Sequence, residues 1–103
     1  MAKFVFVYDG DGGSPEDVTE EQMASIMKAW EDWYAAIGTV TDPGNPFGQT
    51  RTVHPDGSVT TDASISGYTI IEAADLDAAV AHAKAGPHLE AGGNIIVAET
   101  FDM

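Results

Sequence analysis

The apolar positions of this chain change period several times, and each change marks an element. Lys3 to Tyr8 (KFVFVY) is a near-continuous run of strand formers, the pattern of a strand covered on both faces or central in its sheet. From Thr19 to Ile37 the spacing becomes helical. Met23, Ile26, Met27, Trp30, Trp33 or Tyr34, and Ile37 form one stripe, while Glu20, Glu21, Lys28, Glu31 and Asp32 occupy the opposite face. Thr19 with Gln22 fits a capping box, and Gly38 ends the helix. Thr41 to Pro46 reads as a loop. Gln49 to Val53 and Ser58 to Thr61 read as the arms of a hairpin turning at His54-Pro55-Asp56-Gly57, with Asp62 to Ser66 as a polar link. Tyr68 to Ala73 is a strand by its β-branched and aromatic content. Asp75 stands where an N-cap belongs, ahead of a second apolar face at Leu76, Ala79, Val80 and Ala83, and Gly86-Pro87 stops that helix. Asn94 to Phe101 (NIIVAETF) supplies a last strand.

The resulting order is strand, long helix, hairpin strands, strand, helix, strand. This is an α+β, ferredoxin-like βαββαβ series with an added hairpin, giving an antiparallel sheet with both helices on one face. The sheet's other face is left open. Strands this apolar call for a cover, and pairing sheet to sheet with a second copy supplies one, so a homodimer is expected.

Length and composition narrow the class. The 103 residues fit one domain, 1–103, and 44% hydrophobic content fits a packed core. No apolar run approaches the ~18–20 residues of a membrane span. The N-terminus lacks the features of a signal peptide, and there are no cysteines, so a cytoplasmic protein without disulfide or thiolate chemistry is expected. Against 17 acidic residues stand four basic ones, a net charge of −13. Such a surface repels phosphate backbones and anionic membranes, which argues against both as partners. The same charge serves solubility, or a cation or basic partner.

Few residues have chemistry to offer. Asp9, Asp11 and Glu20 fall at positions one, three and twelve of a calcium-loop pattern. Gly13 at position five and Ser14 at position six break it, and a capped turn leading into a helix explains the acids as well. His54, His82 and His88 have no two-ligand spacing on one helix, so no metal and no cofactor is expected. His54 at the hairpin turn and His82 off the helix stripe read as solvated. His88, just past Gly86-Pro87, is the acid/base candidate, with Glu90 near in sequence; a helix-terminal histidine on the last carbonyls is the structural alternative. Arg51, the chain's one arginine, would anchor a carboxylate ligand or pair with a nearby acid. Trp30 and Tyr34 would line a ligand pocket or pack on the sheet. No nucleophile elbow and no phosphate-binding glycine loop leading to lysine is present.

Several segments together resemble a known family. These are Lys3–Tyr8, the Met23–Trp30–Trp33 helix ending at Gly38, Arg51-Thr52-Val53 with Asp56-Gly57, Gly67-Tyr68-Thr69-Ile70-Ile71-Glu72-Ala73, and Asp75-Leu76-Asp77-Ala78-Ala79. Over most of the chain they resemble the YCII-related proteins, in particular the DGPF-domain branch. The resemblance implies a dimeric α/β barrel, ferredoxin-like in each subunit, with a cleft between sheet and helices and a His–Asp acid/base pair. The sequence departs from the pattern in two places. Its first helix contains no histidine, and Thr61-Asp62-Ala63-Ser64 stands where the DGPF signature belongs, leaving Asp62 as the matching residue. The reading is a small-molecule-binding homodimer, with isomerase- or lyase-type proton transfer by His88 partnered by Asp9 or Asp62, and Arg51, Trp30 and Tyr34 on the ligand. The rival is a non-catalytic interaction module acting through its dimer or acidic surface.

Overall fold

The computed structural model describes residues 1–10 and 18–101. Asp11 and Gly13 to Pro15 of the calcium-loop pattern therefore lie outside the described residues. The elements are β1 (Ala2–Asp9), α1 (Glu20–Ile37), β2 (Val40–Asp42), β3 (Thr52–Val53), β4 (Val59–Thr60), β5 (Ile65–Ala73), α2 (Leu76–Ala83), α3 (Pro87–Glu90) and β6 (Asn94–Glu99). Four strands form one sheet in the order β2-β5-β1-β6, and every pairing is antiparallel. This is a ferredoxin-like α+β arrangement, and the apolar run of β1 is central in the sheet.

Strand alternation explains the core. Phe4, Phe6 and Tyr8 of β1 and Thr69, Ile71 and Ala73 of β5 point to one face and are buried there. Trp33 and Ile37 of α1 and Ala79 and Ala83 of α2 complete the same cluster, so both helices cover this face. Phe6 and Trp33 stack with ring centroids 5.8 Å apart, and the Trp33 indole donates to the His82 carbonyl at 2.8 Å. The alternate residues Val5, Val7 and Ile70, with Ile96 of β6, occupy the opposite face, where Ile96 is half exposed.

Local signals hold where they are strongest. Thr19 and Gln22 form the reciprocal capping box, and the Asp75 side chain accepts from the Ala78 N–H. Three assignments differ from the sequence-based ones. Val40 to Asp42 is an edge strand on β5, although Thr41 to Pro46 reads as loop. The β3–β4 hairpin is a separate two-stranded unit and supplies none of the main sheet. Residues 87–90 form one helical turn, with Pro87 at its start where a missing N–H costs nothing.

Candidate functional site

A cavity of about 710 Å³ opens between α1, α3, the end of β1 and the loop after β2. Ser25, Ile26, Ala29, Trp30 and Tyr34 of α1 make one wall, and Pro43 to Pro46 make the opposite one. Tyr8 and His88 lie between them. The walls are aromatic. Trp30 meets Tyr8 edge to face at 5.1 Å, Tyr34 lies 5.9 Å from Trp30, and the His88 ring is 5.3 Å from Tyr8. Tyr68 also lines the cavity, beside Gly44, and its ring stacks on Phe47 at 5.7 Å.

Two glycines make the geometry possible. Gly93 passes so close to His88 that a Cβ there would fall 2.0 Å from Nε2. Gly44, at φ +77°, brings the post-β2 loop onto the Tyr68 carbonyl, and a Cβ would fall 1.7 Å from that oxygen. The Asp42 side chain accepts from the Gly44 N–H at 2.8 Å and fixes the turn.

His88 is buried, with 5% of its surface exposed. Its Nε2 lies 2.8 Å from the main-chain carbonyl of Asp9. A carbonyl only accepts, so Nε2 carries a proton and, in the neutral ring, Nδ1 holds the lone pair. Among the described residues Nδ1 has no hydrogen-bond partner, and His88 is one of the residues that line the cavity. The Tyr8 hydroxyl lies 2.5 Å from Thr69 Oγ1, which donates onward to the Pro43 carbonyl at 3.0 Å. Burial pushes the Tyr8 phenol far above its ordinary range, and the neighbouring Tyr34 phenol adds to the rise against the opposing Thr69 bond.

The sequence-derived candidates divide accordingly. His88, Trp30 and Tyr34 line the cavity. Asp9 reaches His88 through its main chain, whereas its carboxylate turns away to accept from the Ser64 hydroxyl and, at 3.4 Å, from the Asn94 amide. Those two bonds hold its carboxyl below the usual range. Asp62 lies beyond the hairpin, away from the cavity, and its carboxylate accepts from Thr60 at 2.7 Å. Thr60 in turn accepts from His54 at 3.0 Å, so Asp62 is linked to His54 and not to His88. His54 and His82 are half-buried rather than solvated. Arg51 is exposed, bonded to the Thr50 carbonyl at 2.7 Å and to Gln49, and is absent from the cavity wall. Among the described residues no group of three or more His, Cys, Asp or Glu could hold a metal. Tyr8 and the Pro43–Pro46 loop were missed by the sequence reading, because Tyr8 sits within an apolar run and loop contacts carry no local pattern.

No family model matches the sequence, and no curated protein matches it. Among solved structures the fold is similar to 5-chloro-2-hydroxyhydroquinone dehydrochlorinase (TftG) from Burkholderia phenoliruptrix AC1100, in complex with 2,5-dihydroxybenzoquinone. The two share 16% identity at a TM-score of 0.55, over 97% of this chain and 93% of that one. The similarity is one of fold, and it spans nearly the whole of both chains.

Proposed function

We propose that this is a homodimeric protein of YCII-related type that binds a small organic molecule in the cavity and moves a proton on it, without a cofactor, in an isomerase- or lyase-type reaction. The observation that carries this reading is His88. It is buried, held through Nε2 by the Asp9 carbonyl, and lines a cavity whose size suits a small ligand (roughly 300–1,000 Å³), to which the reading assigns its Nδ1 lone pair. His88 is the acid/base, its orientation set by the Asp9 main chain, and Trp30 and Tyr34 hold the ligand's flat faces. A dehydrochlorinase that binds a ring-shaped, oxygen-rich molecule on the same fold supports a lyase-type reading over an isomerase.

The open sheet face supports the dimer. Val5, Val7, Ile70 and Ile96 give it an apolar centre of the kind a second sheet covers. Ile96→Lys should convert a dimer to a monomer by light scattering.

The test of the proposal is native mass spectrometry of the purified protein, alone and after exposure to a panel of small aromatic and enolic compounds. A dimer that holds one compound per subunit, and loses it in His88→Gln, is expected. A protein that takes up no member of the panel would refute the reading. A second reading, a non-catalytic interaction module, draws on the β3–β4 hairpin, where Val53 and Val59 sit directly opposite each other and are 71% and 56% exposed.

A further inference from the structure

We infer that the cavity selects a neutral, flat ring bearing hydroxyl groups that donate hydrogen bonds, and that it rejects carboxylates and phosphates. This inference rests on the reading of the cavity as a small-molecule site and specifies the ligand's chemistry.

It follows from where the wall's protons go. The proton of His88 Nε2 goes to the Asp9 carbonyl. Thr69 has one proton and gives it to the Pro43 carbonyl, so the Tyr8 hydroxyl must be the donor to Thr69 Oγ1. The Ser66 hydroxyl, on the same wall, gives its proton to the Tyr8 carbonyl at 3.3 Å. Three groups from β1, β5 and α3 thus spend their protons on the protein, and what each has left is a lone pair. A ligand satisfies lone pairs by donating. Ser25, Trp30, Tyr34 and Asn45 on the same wall carry donors that an ether or a carboxylate can meet, but neither ligand satisfies the three lone pairs, and each unmatched pair carries a desolvation cost.

Charge points the same way. Among the described residues the wall contains no lysine or arginine, and its charged member is Glu90. An anion entering would give up water with no cation to meet it, inside a chain of net charge −13. Arg51, the natural anchor for an acidic ligand, stands elsewhere. Flatness follows from Trp30, Tyr8 and Tyr34, which pack on one another and line the cavity with aromatic faces and edges on which a planar ring stacks.

The experiment is a calorimetric titration with three probes of one ring size: resorcinol, its dimethyl ether, and isophthalate. Binding at the cavity is confirmed in parallel by the Trp30 indole signal in NMR. Resorcinol is expected to bind about tenfold or more tighter than either of the others. Tyr8→Phe should cost resorcinol several-fold in affinity and leave the ether unchanged; if that variant does not fold, Ser66→Ala gives the same contrast at smaller amplitude. An ether or isophthalate that binds as tightly as resorcinol overturns the inference while the small-molecule reading stands. If none of the three moves the Trp30 signal at millimolar concentration, the inference falls and the small-molecule reading falls with it.

Discussion

The two halves of α1 carry the same apolar spacing and meet different fates. In the C-terminal half, Trp33 and Ile37 are buried against Phe6 and the rest of the core. In the N-terminal half, Met23, Ile26 and Met27 continue the stripe, yet they are 39%, 43% and 58% exposed. The C-terminal half packs on the buried face of the sheet. The N-terminal half, through Ser25, Ile26 and Ala29, looks across the cavity toward Pro43–Pro46 and α3. Periodicity therefore reports which side of a helix faces inward, and not whether protein or a cavity lies on that side. Trp30 stands at the join, half-buried, with Tyr8 on one side and the cavity on the other.

That contrast can be broken by mutation. The largest effect is expected at Trp33→Ala, which removes the stack on Phe6 and the bond to the His82 carbonyl; about 3–5 kcal/mol should be lost in urea unfolding, with Ile37→Ala close behind. Gly93→Ala should follow. Its new Cβ cannot coexist with His88 Nε2, so His88 leaves its place, ligand uptake is lost, and overpacking costs about 1–3 kcal/mol. Thr69→Val takes the acceptor from a buried Tyr8 hydroxyl and should cost about 1–3 kcal/mol in the same assay. Ile26→Ala, in the exposed half of the stripe, should change stability by less than about 1 kcal/mol and yet weaken ligand binding. Equal destabilisation at Ile26 and Ile37 would erase the distinction between the halves.

The smallest effect concerns pH. The Asp9 carboxyl titrates lower folded than unfolded, mainly through the Ser64 bond. Its contribution to stability is then fully present above the unfolded value of about 3.9, and is lost as pH falls through the lower folded value. Asp9→Asn should flatten the acid limb of a melting-temperature profile slightly, and leave neutral-pH ligand uptake intact because His88 uses the main chain at that position.

What was legible in the sequence was whatever one segment decides for itself. The capping box at Thr19 and Gln22, the Asp75 cap and the central strand of β1 are all local signals, and all appear in the structure. Three-residue β2 was not legible, because Val40-Thr41-Asp42 becomes a strand only by pairing with β5. Leu76 has the right spacing for burial but is 42% exposed at the first turn of α2, while small Ala79 and Ala83 lie against the sheet. In the site, His88 could be singled out by residue type, but its partner could not. Residue type points to a carboxylate partner, whereas the group that fixes the ring is a main-chain carbonyl 79 positions earlier, a contact made by antiparallel β1 and β6 bringing Asp9 beside Asn94.

The central claim is that His88 presents an unprotonated Nδ1 to a ligand cavity. Proton–nitrogen NMR of the histidine rings at neutral pH, with and without resorcinol, tests it directly. The account predicts a His88 ring protonated at Nε2, and an Nδ1 resonance that moves when the ligand binds. A His88 ring carrying its proton on Nδ1, or an Nδ1 resonance that stays still while resorcinol binds, would contradict it.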